Sequence, residues 1–287
     1  MNRNYDNFRK LQCDTVIREV RGSWVSFENT VFFGEKGGMP SDQGTINGYP
    51  VLELLWEGDT LFHRVAGDLI NPIHMEVDLL TRWTNAAVQS ALHLLDGFYE
   101  TQGLRITAIS ADPENLWYEV DSKNLPDGHF REVQAFMEGL ILHSVRKVVT
   151  YLRGRDCPDE NYRQYDEVRL VRFGNINTQP CATPHVNETQ EILSFAILGH
   201  KKSSRGTRVF FACGPLAARK LEAYSEKLQT LAAALKTNVS ELPQELERLA
   251  AASAKQKKEL KALKSALLRS EHGPEQPMPA NAGPTYE

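Results

Sequence analysis

Nowhere in its 287 residues does the chain have an apolar run near the roughly 18–20 residues that a membrane span needs, and its opening, MNRNYDNFRK, has no apolar stretch behind its charges. Membrane and secreted settings are therefore not expected. Only four cysteines are present, Cys13, Cys157, Cys181 and Cys213, and no two form a Cys-x-x-Cys pair. That spacing argues against a disulfide scaffold or a zinc ribbon and makes a reducing, cytoplasmic location the expectation. Gly-x-Gly-x-x-Gly and Walker loops are both missing, so ATP-dependent activation has no phosphate cradle to rest on.

What is present is an ordinary globular composition, with 41% hydrophobic and 24% charged residues. The net charge of −4 conceals a gradient. Residues 214–270 hold eleven Lys and Arg against six Asp and Glu, and residues 271–287 hold three Glu and no base, which leaves −6 for residues 1–213. An acidic body followed by a basic segment matters if the partner is a polyanion.

The organisation reads as α+β. Residues 1–70 alternate in short strands, such as 14–17 and 23–27, with glycines at turn spacing, which predicts a small β barrel or sandwich. From 71 to 213 the period changes. Helical faces run through Ala87, Val88, Leu92 and Leu95 and again over 131–152, and strands are expected at 106–109, 116–120, 168–173, 191–198 and 207–213. Helices against an antiparallel sheet are the expected packing. Over 214–270, Leu221, Leu228, Leu235 and Leu242 recur every seven residues, and Leu246, Leu249, Leu260, Leu263 and Leu267 follow in another register. The change of register at 237–243 predicts two helices folded as an antiparallel hairpin or coiled coil, with its leucine seams a route to a homodimer. The proline-containing tail, 271–287, is expected to be disordered.

Two places put ligand-type side chains at organised spacing. Gln89 and His93 lie four apart on a predicted helix and so share a face. Cys181 and His185 lie four apart in a predicted loop, and thiolate and imidazole are favoured zinc ligands. By itself that spacing equally suits a buried thiol and a histidine bonded to backbone.

The surroundings are more specific. Residues 180–192 (PCATPHVNETQEI), 193–198 (LSFAIL) and 208–214 (RVFFACG) resemble the signature of the second additional domain of alanyl- and threonyl-tRNA synthetases, which also occurs free-standing in the AlaX family of editing proteins. Residues 32–44 (FFGEKGGMPSDQG) resemble the glycine-rich loop of the preceding β domain, and 82–95 (RWTNAAVQSALHLL) resemble the family helix with its His-x-x-x-His-Leu-Leu signature. The leucine-rich segment after Gly214 is similar to the part that follows the editing domain in the synthetase and in longer AlaX proteins.

The resemblance implies a trans-acting deacylase that hydrolyses the ester of mischarged tRNA, with serine or glycine on alanine tRNA as the expected substrates. It implies Zn2+ held by His93, Cys181 and His185 with Gln89 as fourth member, where the family has histidine. It further implies catalytic roles for His93, His185 and Thr189, and substrate contacts at Gly37, Gly38 and Asp42. Two departures stand out: Gln89, and Pro184 before His185, where the alanyl group has threonine. With a neutral amide in a ligand position, a binding protein for tRNA or another partner, its site decayed, is the alternative.

Overall fold

The computed structural model describes residues 3–113 and 115–271; the tail beyond, expected to be disordered, lies outside the described residues. The chain divides into two compact units, Met1–Lys220 and Leu221–Glu287.

The first unit opens with a 3-10 turn at Arg3–Asp6 and seven strands: β1 (Gln12–Thr15), β2 (Ile17–Arg21), β3 (Trp24–Phe27), β4 (Gly44–Ile46), β5 (Tyr49–Glu57), β6 (Thr60–Val65) and β7 (Ile73–Val77). They pair antiparallel in the order β1-β7-β4-β5-β6-β3-β2. The single strand expected at 14–17 is thus split at Val16, and its two halves go to opposite edges of the sheet. No ladder joins β1 to β2 among the described residues, so the expected barrel is an open sheet. β7 alternates cleanly, burying Ile73, Met75 and Val77 and exposing His74 and Glu76, as a strand with one wet face should. Its membership carries the sheet past residue 70, where the sequence had suggested a boundary.

Then comes α1 (Leu79–Glu100), started by Asp78, whose carboxylate accepts the Thr81 amide at 2.7 Å. Residues 84–95 are buried without interruption, which marks a central helix rather than a surface one. The remaining elements are β8 (Ile106–Ser110), β9 (Trp117–Val120), α2 (His129–His143), β10 (Lys147–Arg153), β11 (Glu167–Phe173), β12 (Asn177–Pro180), β13 (Phe195–Lys202) and β14 (Thr207–Cys213). They form a four-stranded sheet, β13-β14-β9-β8, and a three-stranded sheet, β10-β11-β12, all antiparallel. One core joins them, including Leu94, Leu95 and Tyr99 of α1, Val133 and Met137 of α2, Val171 and Phe173 of β11, and Phe211 of β14. Gly97 lets α1 approach the β12 side closely, because a Cβ there would meet the Ile176 carbonyl at 2.5 Å.

Two sequence expectations are corrected here. The helix expected over 131–152 ends at Ser144, which adopts φ 52°; the Val145 amide turns to the Thr189 hydroxyl, and β-branched Val148, Val149 and Thr150 continue as a strand. The strand expected from Glu191 starts at Phe195, because Thr189–Ile192 is a 3-10 turn held by a reciprocal capping box between Glu188 and Glu191.

In the second part, α3 (Ala217–Ala234) and α4 (Leu242–Glu271) are separated at the expected break, with a 3-10 turn at Val239–Glu241. Apart from Ala217 at the start of α3, the buried residues of these helices among the described ones are Ala232 and Leu242, next to that break. Among the described residues the leucine seams do not cover one another: Leu221, Leu228, Leu260, Leu263 and Leu267 are exposed. The two helices are therefore present without the packed seam that the heptads suggested.

Candidate metal and hydrolytic site

Helix α1 projects Gln89, His93 and Asp96 from one face, at spacings of four and three residues, and all three line a cleft of about 1090 Å³. Facing them is the loop that leaves β12. Its first amide, Cys181, still bonds the Arg169 carbonyl of β11 at 2.9 Å, and the chain then turns through Thr183 to His185. The buried Arg169 guanidinium fixes that turn by donating to the carbonyls of Cys181 (2.8 Å) and Thr183 (3.1 Å). Asp6, from the N-terminal 3-10 turn, accepts from Arg169 Nε at 2.8 Å and balances the charge. Lys147 of β10 holds the far end of the loop through the His185 carbonyl at 3.0 Å.

The result brings His93, Cys181 and His185 together, with one ligating atom of each within 4.8 Å of the others. His185 Nε2 lies 3.3 Å from Cys181 Sγ, and the two imidazole rings are 4.4 Å apart between centroids. Thr183 Oγ1 sits beside both, 3.1 Å from the sulfur and 3.2 Å from Nε2. Burial pushes the Cys181 thiol up, but His93 and the Thr183 hydroxyl and amide outweigh it and bring the thiol down to about 7. Burial, then the charges of His93, Arg169 and Lys147, hold the His185 imidazole well below its ordinary range. A thiol that ionises near neutrality beside a neutral imidazole is a ligand-ready pair.

The donor set fits zinc. Sulfur and two nitrogens at these separations can share one tetrahedral ion at about 2.0–2.3 Å. Among the described residues the buried His93 Nδ1 has no hydrogen-bond partner, and a buried polar group without a partner calls for an explanation such as an ion.

Of the other residues singled out from the sequence, Gly37 lines the cleft with φ +61°, and a Cβ there would come to 3.4 Å from the Thr183 methyl. Gly38 (φ +78°) faces Ile109 instead. Asp42 is buried away from the cleft in an ion pair with Arg82 and accepts the Phe33 amide at 2.6 Å, so it holds the glycine-rich loop to α1. Thr189 is also fully buried outside the cleft, where its hydroxyl donates to the Leu140 carbonyl and accepts from the Val145 amide. That hydroxyl closes the end of α2. Sequence reasoning missed Thr183, Asp96 and Arg169. Asp96 was within reach, seven residues beyond Gln89 on the same helix face. Arg169 was not, since an arginine in a short strand that also carries Arg172 reads as solvent-facing.

The family described as "Threonyl and Alanyl tRNA synthetase second additional domain" matches residues 168–209, which contain Arg169, Cys181 and His185. "Alanyl-tRNA editing protein Aarsd1" of Danio rerio is 24% identical over 81% of this chain and 59% of its own length, and the Rattus norvegicus protein of that name is 24% identical over 88% and 64%. "Alanine--tRNA ligase" of Methanosarcina barkeri is 23% identical over 93% of this chain and 31% of its own. The chain thus spans about three fifths of these editing proteins and about a third of the ligase. By its signature and its relatives, the chain is similar to the alanyl-tRNA editing proteins and, over residues 168–209, to the second additional domain of the threonyl- and alanyl-tRNA synthetases.

Proposed function

We propose that this chain is a zinc-dependent aminoacyl-tRNA deacylase acting in trans, with serine or glycine misattached to alanine tRNA as its substrates. The observation that carries the reading is the pre-assembled His93, Cys181 and His185 set, of which His93 and Cys181 line the cleft together with Gln89. His93, Cys181 and His185 would hold the ion, and Gln89 or water would take the fourth position. Bound there, zinc would supply a Lewis acid for a carbonyl or a water, or an anchor for the substrate's amino group.

The remaining work falls to the chain. Hydrolysis adds water across the ester, breaks the bond from acyl carbon to the tRNA 3′ oxygen, and returns the proton to that oxygen. The ester is labile, so orientation is the main requirement. Gly37, lacking a Cβ, keeps this part of the cleft wall free of a side chain next to Thr183. Without a metal, His93, whose Nδ1 has no partner among the described residues, would instead be placed to carry a proton. Arg169 and Lys147 keep the ligand loop from collapsing into the cleft by occupying its carbonyls. A difference of one methylene or hydroxyl in the substrate then decides acceptance.

tRNA binding is supported by Lys257, Lys261 and Lys264, which line one exposed face of α4. A homodimer through α3 and α4 is supported by their exposed leucines. In the described residues no helix is long and apolar enough to cross a membrane.

The purified chain should release serine from Ser-tRNA(Ala), with Gly-tRNA(Ala), Ser-tRNA(Thr) and correctly charged tRNA as comparisons. His185→Ala should lower kcat/KM by about 100-fold or more; full activity in that variant would remove the assignment. The second reading, a binding protein, rests on Gln89 standing where the family has an imidazole. One zinc per chain with turnover supports the enzyme, whereas tRNA binding with neither zinc nor turnover supports the binder.

A further inference from the structure

Ser90 lies between Gln89 and His93 in sequence, is fully buried, and does not line the cleft. Its Oγ has three partners: the Ala86 carbonyl at 2.7 Å, the Val186 amide at 3.1 Å and His185 Nδ1 at 3.2 Å. A hydroxyl offers one proton and two lone pairs. The Ala86 carbonyl can only accept, so it takes the proton. The Val186 amide can only donate, so it takes one lone pair. The second lone pair is then left to His185, and the hydroxyl is satisfied only if Nδ1 carries a hydrogen. The reverse arrangement would set two lone pairs against each other in a buried place.

We propose that Ser90 is a positioning residue that fixes His185 as the Nδ1–H tautomer and so turns an unprotonated Nε2 toward Cys181 and His93. Nε2 is the ring atom 3.3 Å from Cys181 Sγ, and its other near neighbour, Thr183 Oγ1 at 3.2 Å, is a group that can donate to it. The same Ser90 oxygen clamps the backbone immediately after His185 through the Val186 amide, so ring and backbone are referred to one atom of α1. Side chains that bind metals through one ring nitrogen are commonly oriented by a hydrogen bond at the other. The tautomer assignment stands on donor counting alone; its consequence for metal binding rests on the zinc reading proposed above.

The test is the two-bond 1H–15N ring spectrum of the metal-free, 15N-labelled full chain, compared with Ser90→Ala and Ser90→Thr. Wild type should give the Nδ1–H pattern for His185. Ser90→Ala should lose it and bind zinc about 10- to 100-fold more weakly, while Ser90→Thr, which keeps the hydroxyl, should restore both. An Nε2–H pattern in wild type would overturn the proposal without any variant having to fold. So would Ser90→Ala with an unchanged tautomer and unchanged zinc affinity. If wild type shows Nδ1–H and Ser90→Ala loses it, yet neither binds zinc, the positioning role stands and the zinc reading fails instead.

Discussion

Helices α1 and α4 carry the same pattern to opposite ends. Each sets three functional-looking side chains at spacings of four and three on one face, Gln89, His93 and Asp96 in α1 and Lys257, Lys261 and Lys264 in α4. In α1 every residue from Thr84 to Leu95 is buried, and Arg82 and Ser90 are held by specific partners. In α4 every residue from Pro243 to Leu268 except Glu245 is exposed. Periodicity places side chains on a face, and what that face meets decides their chemistry. A buried face shifts titrations and fixes tautomers; an exposed face offers charge that is screened and renewable.

The comparison is open to direct challenge, most strongly at two cations. Arg82 of α1 has a fully buried side chain paired with the equally buried Asp42, with Nε 2.9 Å from Oδ1 and a further bond to the Val31 carbonyl. Arg82→Met should destabilise the first unit by about 3–5 kcal/mol, because it leaves Asp42 buried without its counter-ion. Lys261→Met on α4 should change stability by less than about 0.5 kcal/mol. Urea unfolding of both variants measures the contrast, and equal losses would mean that α1 and α4 do not differ as described. A smaller effect is expected at two leucines. Leu95 is fully buried in the main core, and Leu263 is 68% exposed. Leu95→Ala should cost about 2–5 kcal/mol, whereas Leu263→Ala should be near neutral in the monomer. A loss at Leu263 that grows with protein concentration would instead reveal a leucine-mediated dimer.

The contrast also explains what the sequence could and could not disclose. The helical faces, most strands and the break between α3 and α4 follow from local signals, since period, β-branching and capping act over a few residues. His93, Cys181 and His185 were legible because a ligand-type residue four apart from another is itself a local pattern, and the flanking motif gave it context. Asp42 and Thr189 were misplaced because their partners, Arg82 and the Leu140 carbonyl, are 40 and 49 residues away. Only the fold shows that their polar groups are already spent on structure. The same holds for the helix expected to run through Val145 and Val148: Val and Ile at helical spacing fit either period, and the Thr189 hydroxyl, which follows β11 and β12 in sequence, takes the Val145 amide and the Leu140 carbonyl where α2 ends.

The smallest expected effect bears on α4 alone. If Lys257, Lys261 and Lys264 contact phosphates, replacing all three with glutamine removes up to three cations from the interface and none from the cleft. Each lost contact should lower the slope of log affinity against log salt by about 0.7–0.9, so the triple variant should bind tRNA with a slope reduced by about 2–3. Deacylation of a short aminoacylated mimic that cannot reach α4 should be unchanged, because the cleft is lined by residues of the first unit only. Filter-binding titrations from low to moderate salt, with the mimic assayed in parallel, separate the two helices' roles. An unchanged slope would make the lysine face a solvated surface. A fall in mimic hydrolysis would instead mean that the exposed helix and the buried one act together.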